Sequence, residues 1–125
     1  MICLDTNFLI RGLIANTEES KRLIDWHGSG EPMFASSVVW YEFLSGPIDL
    51  RQAAIIRSFL TDGIAPFTEK ESAEAARLFN EVGRHRRLRV DAMIAATAIL
   101  CDAKLATANR ADFEPFVQFG LQLFN

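Results

Sequence analysis

The sequence predicts an α/β domain in which helices cover both faces of a largely parallel sheet. Short apolar runs alternate along the chain with helical patterns, which is typical of parallel sheets. Residues 90–101 are apolar nearly all round, as expected for a helix at the centre of a fold. The chain has 125 residues, half of them hydrophobic, so we expect one domain over residues 1–125.

The first part of the chain predicts one strand followed by two helices. Residues 1–4 form an apolar run that ends at Asp5, which is typical of a buried strand with polar groups at its carboxyl end. Residues 8–14 are helix-like. Asn16, with Glu19 three residues later, predicts the amino-terminal cap of the second helix.

The middle of the chain predicts another strand and two helices. Residues 32–35 read as a second short strand, and Ser36 is a suitable cap for a helix that runs to Ser45 and carries Glu42. Residues 50–60 are helical in pattern. Glycine, proline and aspartate lie between these segments and end them.

The last part of the chain completes the alternation. Residues 64–67 are a third strand candidate, and Thr68 with Glu71 predicts a capping box for the next helix. The central helix follows, and residues 104–107 resume a strand. The tail is expected to complete the sheet and the core with four phenylalanines: Phe113, Phe116, Phe119 and Phe124.

Three carboxylates stand alone in apolar segments: Asp5, Glu42 and Asp91. An isolated carboxylate is costly to bury, so each needs a partner. None of the three segments carries its own Lys or Arg, which favours convergence of the acids on one divalent cation. Separate explanations remain open: Asp5 could cap a helix, Glu42 could pair with an arginine, and Asp91 could interact with a helix dipole.

The chemistry of these side chains indicates which cation they would bind. Carboxylate oxygens are hard ligands that suit Mg²⁺ or Mn²⁺, and no Cys or His set has zinc-binding spacing. Cys3 and Cys101 are expected to be small buried hydrophobic side chains. A pocket of acids that holds such an ion is suited to phosphoryl chemistry, in which the metal activates water and polarises a phosphodiester.

The order and spacing of these segments resemble a known family. The resemblance spans the whole chain and rests on Leu4-Asp5-Thr6-Asn7, the helical Glu42, the run of residues 91–96 that begins at Asp91, and the stretch of residues 107–113. This pattern is similar to that of the PIN-domain ribonucleases, specifically the VapC-type toxins of toxin-antitoxin pairs. The resemblance implies a PIN-like three-layer α/β/α fold with a short, mostly parallel central sheet.

The resemblance also implies a function and a set of site residues. VapC-like proteins are Mg²⁺- or Mn²⁺-dependent endoribonucleases, and the family pattern makes Asp5, Glu42, Asp91 and Asp112 the catalytic and metal-binding acids. Asp112 is the only acid within the variable fourth motif. Three polar residues are expected to support the acids, namely Asn7, Thr107 and Asn109, although either asparagine could instead be a cap or turn residue.

Positive charge is concentrated just before Asp91, in a cluster that could bind RNA phosphates: Arg84, Arg86, Arg87 and Arg89. The alternative is a solvated helix end. The net charge of −3 argues against a protein that coats nucleic acid generally. We expect a cytoplasmic protein without membrane segments, because no apolar run is long enough to span a bilayer and no signal peptide is evident.

By resemblance, the expected partners are RNA, a VapB-type antitoxin whose helix lies in an apolar groove, and a second copy in a homodimer or a higher hetero-oligomer with the antitoxin. Several apolar side chains could form that groove or simply fill the core: Leu13, Ile14, Trp26, Trp40, Tyr41 and Phe43. Two other functions remain open. One is a catalytically inactive PIN-like interaction module, and the other is a different Mg²⁺-dependent phosphoryl-transfer domain.

Overall fold

The computed structural model describes residues 1–125 and contains one parallel sheet of five short strands. The strands are β1 (Ile2–Leu4), β2 (Met33–Ser36), β3 (Ile64–Ala65), β4 (Lys104–Ala106) and β5 (Gln122–Leu123). Their order across the sheet is β3-β2-β1-β4-β5, and every neighbouring pair is parallel. The predicted α/β architecture with a short parallel sheet is therefore confirmed.

Seven α-helices connect and cover the strands. They are α1 (Thr6–Gly12), α2 (Glu18–Gly28), α3 (Ser37–Leu44), α4 (Leu50–Phe59), α5 (Glu69–Glu81), α6 (Arg89–Leu100) and α7 (Arg110–Phe113). Two 3₁₀ segments, Arg86–Leu88 and Glu114–Phe119, precede α6 and follow α7. None of the helices has the length and apolar character needed to cross a membrane.

Strand β1 lies in the centre of the sheet. The order in which strands are added reverses there: β2 and β3 extend the sheet on one side, and β4 and β5 extend it on the other. Ile2 pairs with Met33 of β2 and with Lys104 of β4, and Leu4 pairs with Ala106. Parallel sheets form crevices outside the carboxyl ends of their strands at such a reversal. A crevice is therefore expected beside the residues that follow β1 and β4.

The core explains why the chain folds in this way. Every residue of β1 and β2 is buried, as expected for strands covered by helices on both faces. In α6, the small residues Ala92, Ala95 and Ala96 are buried, which lets this helix pack closely in the interior. The predicted central helix is thus confirmed. In the tail, Phe113 and Phe116 are buried and β5 extends the sheet, also as predicted.

Local hydrogen bonds define most helix boundaries. The Ser36 hydroxyl accepts from the Val39 N–H at 3.1 Å, so the predicted cap of α3 is confirmed. The Glu71 carboxylate accepts from the Thr68 N–H at 2.7 Å at the start of α5. The expected cap of α2 was wrong by one residue. Thr17 is the cap, because its hydroxyl accepts from the Ser20 N–H at 3.0 Å, whereas Asn16 adopts the left-handed conformation of the preceding turn.

The packing of α5 makes a testable prediction about stability. Leu78 is fully buried on α5, whereas Leu50 at the start of α4 is 90% exposed. Leu78→Ala is expected to lower the free energy of unfolding by about 2–5 kcal/mol, because it removes buried apolar contacts and leaves a cavity. Leu50→Ala is the matched control and should change it by less than about 0.5 kcal/mol. Urea denaturation of the two variants measures both values, and equal losses would contradict this assignment of the core.

Candidate active site

Asp5 lies at the carboxyl end of β1, where it is 4% exposed. The Thr6 N–H donates to Oδ1 at 2.7 Å, and the Thr107 hydroxyl donates to Oδ2 at 2.8 Å. The Asp5 N–H continues the ladder to β4 through the Ala106 carbonyl at 3.1 Å. Asp5 is also the cap residue of α1, so the alternative that Asp5 caps a helix is correct as far as it goes. A role as a helix cap does not explain why this carboxylate is buried without a Lys or Arg side chain to pair with it.

Glu42 is linked to Asp5 through Thr6, the residue that follows Asp5. Helix α3 carries Glu42, and the Thr6 hydroxyl donates to Glu42 Oε1 at 2.7 Å. Thr6 therefore bridges two acids, through its backbone N–H to Asp5 and through its side chain to Glu42. Glu42 is partly exposed and forms no ion pair, so the alternative of a buried pairing with an arginine is wrong.

Asp91 lies in the first turn of α6 and is partly exposed. Its pKa is raised to about 7, first by loss of hydration and then by the charges of Asp5, Asp112 and Glu42, while Arg87 opposes the shift. The dipole of α6 favours the ionised form of a first-turn carboxylate. Burial and the charges of the other acids act in the opposite direction.

The pKa of Asp5 is also raised, to about 6. Burial is the largest cause, and the charges of Glu42 and Asp112 raise it further, whereas the hydrogen bonds from Thr107 and Thr6 lower it. The charges of Glu42 and Asp112 thus raise the pKa of both Asp5 and Asp91, and the charge of Asp5 also raises that of Asp91. The acids that the sequence predicted to converge are therefore close enough to influence one another's ionisation.

The side chains are nevertheless spread apart. As they stand, no group of three or more His, Cys, Asp or Glu residues is arranged to hold a metal ion. The donor set still fits Mg²⁺ or Mn²⁺, because it consists of carboxylate oxygens without Cys or His. Ligation of one ion by three or more of these acids would require their side chains to rearrange.

The residues after β4 form the other wall of the site. The Thr107 hydroxyl that donates to Asp5 also accepts from the Asn109 N–H at 2.9 Å, which fixes the turn into α7. Asp112 lies on α7 and is partly exposed, with Oδ1 3.8 Å from a guanidinium nitrogen of Arg87. Asn109 contributes through its backbone as a turn residue. The exposed Asn7 makes no side-chain hydrogen bond to Asp5, so the expected support from Asn7 is absent.

The four clustered arginines point in different directions. Arg84 donates to the Asn80 side chain at 2.9 Å, and the Arg89 guanidinium lies 5.7 Å from the centre of the Phe79 ring. Arg86 is exposed and pairs with no acid. Only Arg87 reaches one of the four site acids, namely Asp112.

Thr6 is a residue of the site that sequence reasoning did not single out. In the sequence it stands out only as a member of the motif Leu4-Asp5-Thr6-Asn7, because threonine after a strand-terminal aspartate is common at helix starts. Its contact with Glu42 joins positions that are 36 residues apart, and no local pattern reveals it.

Comparison with known proteins identifies the fold. The PIN domain family model matches residues 2–115. The chain belongs to the PIN domain family. PIN domains are generally nucleases. No curated protein matches this PIN domain in sequence.

Several solved structures resemble this PIN domain. A toxin-antitoxin complex from Klebsiella pneumoniae is 27% identical, with a TM-score of 0.71 and 91% of each chain covered. FitAcB from Neisseria gonorrhoeae is 24% identical, with a TM-score of 0.72 and coverage of 100% of this chain and 97% of that one. VapBC2 from Rickettsia felis, bound to a promoter DNA fragment, is 23% identical, with a TM-score of 0.70 and coverage of 100% and 98%. The expected VapC-type resemblance is confirmed at the level of the fold.

The raised pKa values predict how the stability of the metal-free PIN domain depends on pH. Asp5 and Asp91 bind protons more tightly in the folded chain than at the ordinary aspartate pKa of 3.8. The folded state therefore binds more protons between about pH 4 and pH 7, and stability should fall as the pH rises through this range. Thermal unfolding in EDTA should show a higher Tm near about pH 5 than near about pH 8.

A pair of Asp→Asn variants tests the origin of this dependence. Asp5→Asn should flatten the pH profile, because the buried group no longer ionises. Asp102→Asn is the control, since Asp102 is exposed and precedes β4 at the opposite end of the sheet. A control that flattens the profile as much as Asp5→Asn would contradict the assignment to the acidic site.

Proposed function

We propose that this PIN domain is a Mg²⁺- or Mn²⁺-dependent endoribonuclease and the toxin of a VapBC-type toxin-antitoxin pair. The observation that carries the proposal is the shared field of four acids, Asp5, Glu42, Asp91 and Asp112, at the sheet reversal of a PIN fold. Carboxylates that destabilise one another without a cation form a site that gains from binding one.

Four acids are proposed as the catalytic and metal-binding residues: Asp5, Glu42, Asp91 and Asp112. When bound, Mg²⁺ or Mn²⁺ would polarise the scissile phosphodiester and lower the pKa of a bound water. Thr107 fixes one oxygen of Asp5, and the turn of Asn109 fixes Thr107. These contacts orient Asp5 without adding positive charge.

Glu42 is proposed to orient or deprotonate the attacking water. The Thr6 hydroxyl donates to Oε1 and thereby fixes the orientation of the whole carboxylate. The other oxygen, Oε2, is free to accept a hydrogen bond. A positioned carboxylate near a water is a general base in many hydrolases. The proposed reaction is hydrolysis, in which the water oxygen bonds to phosphorus and the bond from phosphorus to the leaving oxygen breaks.

An antitoxin and a second copy of the chain are proposed as protein partners, by similarity to the toxin-antitoxin complexes with the same fold. Large apolar side chains remain exposed on the helices and are available for these interfaces: Ile14, Ile24, Tyr41, Leu44 and Leu50. Of the apolar residues that the sequence left undecided, Phe43 belongs to the core. A cytoplasmic location is proposed together with the RNA substrate.

A catalytically inactive PIN-like module is the second candidate function. The observation that favours it is that no three potential ligands are arranged around a common point. Metal binding distinguishes the two functions, because an inactive module whose acids remain spread has no reason to bind Mg²⁺ or Mn²⁺. Calorimetric titration of the chain with Mn²⁺ is therefore a direct comparison.

The central prediction concerns metal-dependent cleavage. The purified, antitoxin-free chain should cut total RNA or a structured tRNA internally in Mg²⁺ or Mn²⁺, and EDTA should abolish the cuts. Asp5→Asn and Asp91→Asn should each lower the rate by at least about 100-fold while the chain stays folded, because each removes a charged ligand. Asp102→Asn, the same exchange at the other end of the sheet, should cleave at the wild-type rate. Native rates in Asp91→Asn, or neither cleavage nor metal binding in the wild type, would overturn the proposal.

Thr6 gives a second prediction, about the positioning of Glu42. Thr6→Val keeps the backbone N–H that donates to Asp5 but removes the hydroxyl that donates to Glu42. Loss of such a supporting contact should weaken Mn²⁺ binding or activity by about 10- to 100-fold. Thr6→Ser restores the hydroxyl and should recover both. Calorimetry and circular dichroism separate lost positioning from lost folding, and wild-type Mn²⁺ affinity and activity in Thr6→Val would show that Glu42 needs no donor.

A further inference from the structure

Arg87 is the only basic residue that pairs with an acid of the site. The chain contains six ion pairs, and five of them join residues outside the four acids. The sixth joins Arg87 and Asp112 at 3.8 Å. Arg87 belongs to the 3₁₀ segment Arg86–Leu88, which leads directly into α6 and Asp91. One guanidinium therefore lies at the rim of an otherwise uncompensated acidic crevice.

The other arginines near the site are engaged elsewhere. Arg84 donates to Asn80, and Arg89 lies over Phe79. Arg110, on the same short helix as Asp112, donates to the Phe124 carbonyl at 2.9 Å and pairs with Glu114. None of these three guanidinium groups faces the acids.

The contact between Arg87 and Asp112 is weak enough to be replaced. It is a single long N–O contact, and the side chains of Arg87 and Asp112 are 70% and 47% exposed. Exposed pairs of this kind contribute little to stability. A phosphate can instead accept two parallel hydrogen bonds from a guanidinium, which is the stronger arrangement. Arg87 thus has a weak partner in the free chain and a better one in an RNA backbone.

We propose that Arg87 binds a backbone phosphate of the RNA at the rim of the acidic site, and that it exchanges Asp112 for this phosphate. The inference rests on the proposed function in that RNA is the ligand. Asp112 holds the guanidinium near the crevice in the free chain, and its carboxylate is released when RNA binds. Arg87 is accordingly a phosphate-binding residue, and the rest of the cluster contributes only general positive charge.

Salt-dependent RNA binding tests the phosphate contact without cleavage. The probe is a labelled single-stranded RNA, measured by fluorescence anisotropy in EDTA over a series of low salt concentrations. Loss of one phosphate contact should reduce the slope of log affinity against log salt by about 0.7 in Arg87→Ala. Arg86→Ala removes the same charge from the adjacent position and should change the slope less. Equal changes in the two variants, or no RNA binding by the wild type, would overturn the proposal.

Two further variants test the geometry of the contact and the exchange. Arg87→Lys keeps the charge but loses the planar fork, so it should recover only part of the affinity. Asp112→Asn should tighten RNA binding more strongly when Arg87 is present than in the Arg87→Ala background, because only then is a guanidinium released. An equal gain in both backgrounds would show that Asp112 merely repels RNA and would overturn the exchange.

These outcomes are distinguishable from failure of the proposed function. RNA binding that depends on Arg87, without metal-dependent cleavage, would sustain the phosphate contact and refute the nuclease. Metal-dependent cleavage with identical affinity and KM in the wild type and Arg87→Ala would sustain the nuclease and refute the phosphate contact.

Discussion

The structure depends on a carboxylate that is buried without a counter-charge. Asp5 lies at the end of the central strand, and its two oxygens accept from an N–H and a hydroxyl but from no cation. Burying a charge in this way is unfavourable and raises its pKa. The core must offset that cost, and its 27 buried apolar residues, many of them in the strands and in α6, supply the stabilisation. The buried charge of Asp5 thus lowers the free energy of unfolding, and burial of the apolar core offsets this loss.

The order of the strands explains why four acids from distant segments lie at the same end of the sheet. Asp5 follows β1 and the Thr107 turn follows β4, and these strands are neighbours at the point where the sheet reverses. Helices α3 and α6 contribute Glu42 and Asp91 to the same crevice. The acids share one field because the sheet order brings their elements together, although they are far apart along the chain.

Patterns within a segment were predictable from the sequence, whereas contacts between segments were not. Alternation of short apolar runs and helices indicated the parallel sheet, and isolated acids in apolar segments indicated the site. The contact of Thr6 with Glu42 and the different directions of the four arginines depend on how distant elements pack. Even the cap of α2 lay at Thr17 rather than Asn16, because both residues suit a helix start and only the backbone turn at Asn16 distinguishes them.

The choice of hydrogen-bond donors is consistent with a site that keeps its charge. A lysine or arginine buried beside Asp5 would orient that carboxylate, but it would also neutralise it and weaken any affinity for a divalent cation. Threonine hydroxyls and a backbone N–H orient Asp5 and Glu42 while leaving their charge intact. The one guanidinium that reaches the acids does so at the exposed rim, through Asp112. Such a pocket must attract a metal ion and still admit a phosphodiester. It therefore needs neutral hydrogen-bond donors inside and, at its rim, a guanidinium that can exchange its carboxylate partner for a phosphate.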